Sequence, residues 1–95
     1  MEFKDISVGN LFEFRNTDRD STLWLKWQVV KVLPNGRLSL IFIGYNKVTE
    51  FKPWKIGAEY ILDEVTFKRH VAQGHVRKAD KELVVIEILK QVDPL

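Results

Sequence analysis

The sequence predicts a mostly β domain, β or α+β in class, in which five strands form a small barrel or curled sheet with one short helix near residues 63–74. Two observations predict this class: β-branched and aromatic residues concentrate in short runs, and turn-forming residues separate those runs. A chain of 95 residues suffices for one hydrophobic core, so residues 1–95 are predicted to form a single domain.

The first half of the chain carries the clearest strand signals. Alternation of polar and apolar residues predicts a strand at 10–15, and β-branched and aromatic composition predicts strands at 23–33 and 37–43. Leu33-Pro34-Asn35-Gly36 predicts a hairpin closed by a type I turn and a glycine bulge, because proline restricts φ and glycine accepts positive φ. The wholly polar stretch 16–22 predicts a mobile loop between the first two strands.

The second half is less uniform. Strands are predicted at 57–62 and at 82–90, although the last segment also has apolar residues at helical spacing. Residues 63–74 fit a short helix that Asp63 caps and Gly74 ends, and this is the preferred interpretation. The alternative is a strand with Val65, Phe67, Arg69 and Val71 on one face. It turns at Ala72-Gln73-Gly74 into a second strand, His75-Val76-Arg77-Lys78.

The number and order of these elements predict the architecture. Five short strands curl readily into a closed sheet. Gly9 before the first strand, then a polar loop and a long hairpin, resembles the layout of SH3-like and Tudor-like modules. An SH3-like or OB-like barrel is therefore expected, and because the resemblance is one of layout it implies no particular activity.

Composition argues against several kinds of chemistry. The chain has no cysteine, which excludes disulfides, thiolate metal sites and cysteine nucleophiles. Its five glycines are isolated and match no phosphate-binding or dinucleotide fingerprint. His70 and His75 lie five residues apart, so they share a metal ion or a catalytic cleft only if a turn intervenes. We predict no cofactor, no metal site and no enzymatic activity.

The absence of cysteine also fits a protein of the reducing cytoplasm, where disulfides are rare. The first residues lack the basic start and apolar run of a signal peptide, and the longest apolar runs are too short to span a bilayer. A cytoplasmic protein without membrane contact is expected.

The aromatic residues suggest the first functional hypothesis. Trp24 and Trp27 lie an odd number of residues apart on one strand and therefore project to opposite faces. If one face is solvated, the exposed indole would join Tyr45 and Trp54 in a rigid contact surface. The alternative is that both faces are covered. The hypothesis is a non-enzymatic module that binds a protein or peptide through Trp24, Trp27, Tyr45 and Trp54.

The basic residues suggest a second hypothesis, weak nucleic-acid binding. Lysines alternate with aromatic residues in segment 45–55, and positive charge is concentrated in segment 68–81. The residues that would contact nucleic acid are Lys52, Lys55, Lys68, Arg69, Arg77 and Lys78. Most nucleic-acid binders have a broad positive surface potential, which a chain with a net charge of only +2 does not produce. Nucleic-acid binding is therefore the alternative to peptide binding.

A third hypothesis is self-association. The apolar strand predicted at 82–90 would be an aggregation hazard at a sheet edge. Paired with its copy across a two-fold axis, it would give a homodimer.

Overall fold

A computed structural model describes residues 2–16 and 21–79 of the chain. Its elements, in chain order, are a 3₁₀ turn at Phe3–Asp5, strands β1 (Leu11–Arg15), β2 (Trp24–Leu33), β3 (Arg37–Tyr45) and β4 (Glu59–Asp63), helix α1 (Glu64–Ala72) and strand β5 (Val76–Lys78). All neighbouring strands are antiparallel, in the order β4-β3-β2-β1-β5. The predicted mostly β class is confirmed. Within the described ranges, no helix has the length and hydropathy of a membrane span.

One face of the sheet, here called the core face, carries the main hydrophobic core. Alternate residues of the strands point to it and are buried, namely Phe12, Leu25, Trp27, Val29, Leu38, Leu40, Phe42 and Leu62. Helix α1 packs on this face through Phe67. The ring of Phe67 makes edge-to-face contacts with the rings of Phe3 and Phe12, at centroid distances of 5.7 and 5.8 Å.

The sheet that the described residues form is open, so the expectation of a closed SH3-like or OB-like barrel is wrong for this part of the chain. Strands β4 and β5 lie at opposite edges and do not pair with each other. The chain passes between them through α1, whose Phe67 enters the core. A helix therefore covers apolar side chains that strand-to-strand closure would cover in a barrel.

The helix predicted near residues 63–74 is confirmed, and the alternative strand over residues 65–71 is wrong. The second strand of that alternative does form, as β5. Helix α1 begins after Asp63, whose Oδ1 accepts a hydrogen bond from the Thr66 N–H at 2.7 Å. The chain leaves the helix through Gly74, which has a φ of +72°. Both ends are thus the ones that the cap and the glycine predicted.

The fifth strand differs from the predicted one. Strand β5 is Val76–Lys78, and it pairs with β1 in the register Phe12↔Lys78 and Phe14↔Val76. The sequence indicated this strand only within the alternative interpretation, at residues 75–78, because so short a strand gives a weak signal. The strand predicted at 82–90 lies outside the described residues, as do residues 17–20 of the predicted loop.

The hairpin between β2 and β3 forms where predicted, but its turn is not type I. Asn35 and Gly36 both have positive φ, 64° and 66°, whereas the second central residue of a type I turn needs a negative one. Asparagine tolerates this region better than other non-glycine residues. The Glu64 N–H donates to the Gly36 carbonyl at 2.8 Å, so the turn also anchors the start of α1.

Replacing Asp63 with Ala is expected to lower the melting temperature at neutral pH, because the helix loses its N-cap acceptor. Hydrogen bonds from the backbone and hydroxyl of Thr66 lower the pKa of the Asp63 carboxyl. A lowered folded-state pKa stabilises the fold above the ordinary pKa range of the group, and this stabilisation is lost as pH falls through the lowered pKa. Thermal unfolding followed by circular dichroism across acidic pH measures the effect.

The difference in melting temperature between wild type and Asp63→Ala is therefore expected to shrink towards strong acid. Asp5→Ala, which removes another exposed carboxylate, is the control and should change little. A difference that stays constant into strong acid would contradict the cap.

Candidate functional site

A groove of about 370 Å³ opens on the core face beside β4. Most of its lining is aromatic or apolar: Phe14, Leu25, Trp27, Leu40, Phe51, Pro53, Trp54, Tyr60 and Leu62. Arg15, Asn16 and His70 complete the lining. None of the described residues that line the groove is acidic.

Three rings in the groove form an aromatic triad, Trp27, Trp54 and Tyr60. Their centroids lie 4.9 Å apart for the two indoles and 5.9 Å from each indole to the tyrosine. The two contacts of Trp54 are edge-to-face, a geometry that the ring quadrupoles favour. Trp27 is buried at the base, Trp54 is partly exposed and Tyr60 is 40% exposed, so the triad rises from the core to the surface.

The hydroxyl of Tyr45 holds the loop that carries Trp54. It donates to the Trp54 carbonyl at 2.9 Å and accepts from the Trp54 N–H at 3.0 Å. Burial raises the pKa of the Tyr45 phenol, which keeps the donating proton in place at neutral pH. Because Tyr45 lies at the end of β3, these two bonds fix the loop to the sheet.

The structure brings together three of the four aromatic residues that the sequence singled out. Trp27 and Trp54 are in contact, and Tyr45 is hydrogen-bonded to Trp54. Trp24 lies on the opposite face of the sheet, as the odd spacing predicted, but neither Trp24 nor Trp27 is exposed. The accessible aromatic surface therefore comes from Trp54 and from residues that the sequence did not single out.

Tyr60, Phe51 and Pro53 are the groove residues that sequence reasoning missed. A signal for Tyr60 was present, because alternation along β4 places it on the same face as the buried Leu62. Phe51 and Pro53 belong to segment 45–55, which the sequence singled out only for the nucleic-acid hypothesis. Their place in the groove depends on the Tyr45 hydroxyl, which holds this loop.

The opposite face of the sheet carries a charged cluster, Glu13, Lys26 and Arg77, beside Trp24. The Arg77 Nε donates to Glu13 Oε1 at 2.8 Å, and Lys26 Nζ lies 3.9 Å from Glu13 Oε2. The Cζ atom of Arg77 lies 4.0 Å from the centroid of Trp24, and that of Arg15 lies 5.0 Å from it. These contacts explain how Trp24 is buried on this face.

The six basic residues of the nucleic-acid hypothesis lie on three separate parts of the chain. Lys52 and Lys55 are in the loop before β4, Lys68 and Arg69 in α1, and Arg77 and Lys78 in β5. Two of them form ion pairs at 2.8 Å, Lys68 with Glu64 and Arg77 with Glu13. Because a carboxylate already neutralises each of these two side chains, they are less suited to binding phosphate.

The two histidines lie close together. The chain turns after Ala72, and the rings of His70 and His75 come to 6.5 Å between centroids. Burial, followed by the electrostatic influence of His75 and Arg69, lowers the pKa of His70, which favours its neutral form. The described residues contain no group of three His, Asp or Glu side chains that could hold a metal ion.

Comparisons with models of protein families, with curated proteins and with solved structures find no match to this chain. The groove is therefore interpreted from its own geometry. Aromatic walls with few polar groups are typical of a surface that binds an apolar segment.

Proposed function

We propose that this protein is a non-enzymatic binding module that engages a protein or peptide through the aromatic groove. The observation that supports the proposal is the aromatic triad, in which Trp54 and Tyr60 retain accessible surface. Tryptophan and tyrosine offer large contact areas with few rotatable bonds, and they dominate the residues that carry binding energy in protein interfaces.

The groove is also built before any partner arrives. The Trp54 backbone exchanges two hydrogen bonds with the Tyr45 hydroxyl, and the Trp54 ring contacts those of Trp27 and Tyr60. A surface that is already ordered loses little conformational entropy on binding, so more of the contact energy becomes affinity.

The chemistry of the lining favours an apolar segment over a cation or a nucleic acid. A cationic ligand would meet no carboxylate among the described lining residues. A nucleic acid would stack on Trp54 near Lys52 and Lys55, but the other basic residues of that hypothesis lie on α1 and β5. An apolar or aromatic side chain of a peptide fits the groove without needing a countercharge.

Selection from a random peptide library against the folded protein tests the proposal. Selected peptides are expected to bind Trp54→Ala at least about tenfold more weakly than wild type, because truncation removes a ring central to the triad. Val48→Ala is the matched control, since Val48 is fully exposed and does not line the groove. Affinities are measured by fluorescence titration, with circular dichroism to verify folding.

Two outcomes would overturn the proposal. Peptides that bind wild type and Trp54→Ala equally would place binding elsewhere on the surface. If no peptide is selected and a random oligonucleotide pool binds with an affinity that falls steeply with salt, the protein is a nucleic-acid binder instead.

A further inference from the structure

Among the strands that the structure describes, β4 lies at one edge of the sheet. It pairs with β3 on one side, and no described strand lies on the other. Four of its five residues are exposed, and Ile61 at its centre is 43% exposed. An accessible edge of this kind is a template for pairing with another extended chain.

The register shows which backbone groups point outwards. The Glu64 N–H donates to the Gly36 carbonyl, so Glu64, just after β4, is a position that bonds to the neighbouring strand. Positions that exchange hydrogen bonds with a given neighbour recur at every second residue in an antiparallel pair. Leu62 and Tyr60 therefore bond to β3, and Ile61 directs its N–H and C=O away from the sheet.

We propose that β4 binds an extended segment of the partner as an added antiparallel strand, and that this segment carries basic residues on both sides of an apolar centre. The proposal rests on the proposed function and specifies how the partner is recognised. Main-chain hydrogen bonds from an added strand give affinity, and side-chain contacts at alternate positions give selectivity.

The acidic ends of β4 determine the charge of the segment. Glu59 and Asp63 lie two residues on either side of Ile61 and share its face of the sheet. Both residues are exposed, and the lowered pKa of Asp63 keeps its carboxyl ionised at neutral pH. In a strand centred opposite Ile61, lysine or arginine at the two flanking positions would face these carboxylates.

The same charges disfavour a second copy of this chain as the occupant. Two β4 strands paired antiparallel about Ile61 would place Glu59 opposite Asp63 twice. Like charges directly opposite each other destabilise a strand pair, and charged residues at an edge are a common protection against self-pairing.

The added strand would also reach the aromatic groove. Residues that alternate with those facing Glu59 and Asp63 would project towards the core face, beside Tyr60. An apolar side chain there would contact the triad. Because Tyr60 lies on β4 and also lines the groove, one extended segment would use the edge and the groove together.

The probe is the blocked peptide acetyl-Lys-Val-Thr-Val-Lys-amide, titrated into ¹⁵N-labelled protein. The amide resonance of Ile61 is expected to shift, together with those of its neighbours in β4. A peptide with both lysines replaced by glutamate is expected to bind about tenfold more weakly. A peptide with an N-methylated central residue is expected not to bind, because it loses a main-chain donor.

Ile61→Pro is the matching protein variant. It removes an N–H that points away from β3, so the ladder within the sheet is retained, and binding is expected to be lost. Ile61→Thr keeps the N–H and is the control, expected to bind within about threefold of wild type. Equal binding of the lysine, glutamate and N-methylated peptides would overturn the proposal even if Ile61→Pro fails to fold.

Failure of this proposal is distinguishable from failure of the proposed function. If peptides selected from the random library depend on Trp54 but bind Ile61→Pro with full affinity, the edge is not used and the groove still is. If they are insensitive to Trp54→Ala as well, the proposed function itself is wrong.

Discussion

Replacing Phe67 with Ala is expected to lower the free energy of unfolding by about 3–5 kcal/mol. Phe67 is 1% exposed and is the one buried side chain of α1. Its ring contacts those of Phe3 and Phe12, so the truncation leaves a cavity beneath the helix. Since small domains have total stabilities of about 5–15 kcal/mol, this is a large share. Chemical denaturation followed by circular dichroism measures it.

Val65→Ala is the control for this experiment. Val65 lies on the same helix and is 70% exposed, so the change should stay within about 0.5 kcal/mol apart from helix propensity. Similar losses for the two variants would mean that α1 does not pack on the core face through Phe67.

Replacing Glu13 with Ala is expected to cost about 3 kcal/mol of stability. Glu13 and Lys26 are buried, at 7% and 5% exposure, and Glu13 is also the acceptor for Arg77. Removing the carboxylate takes the charge of Glu13 away from the buried ammonium of Lys26, and a desolvated charge is costly when a partner is lost. Urea denaturation gives the value, with the exposed Glu50→Ala as control.

A double variant separates charge pairing from packing at this position. Glu13→Leu combined with Lys26→Met replaces the pair with apolar side chains of similar length. It is expected to recover most of the stability that Glu13→Ala loses, because neither charge then remains to be desolvated. If the double variant is as unstable as the single one, the loss comes from packing and not from the broken charge pair.

The parts of the fold that the sequence predicted are those fixed by local interactions. Strands β1 to β3 follow from alternation and turn residues within a few positions of each other. Helix α1 follows from Asp63 and Gly74, which act on their immediate neighbours. The position of the hairpin turn was predicted correctly, but the turn type was not. Asn35 adopts a positive φ, and the proline before it gave no indication of this conformation.

The parts that it did not predict depend on contacts between distant residues. Whether five strands close into a barrel is decided by what lies between the edges, here α1. The groove depends on the hydroxyl of Tyr45 reaching the backbone of Trp54 across a loop. The odd spacing of Trp24 and Trp27 correctly placed the two rings on opposite faces of the sheet. It carries no information about which residues cover each ring.

The sequence separation of the strand pairs has a kinetic consequence. Strands β2 and β3 adjoin along the chain, whereas the ion pair between β1 and β5 joins Glu13 to Arg77 across 64 residues. Closing a long loop costs more chain entropy and comes later in folding than closing a hairpin. Trp27 packs against Phe42 of the hairpin and Trp24 against Arg77 of β5. Two indoles three residues apart would thus report on an early and a late stage of the same folding reaction.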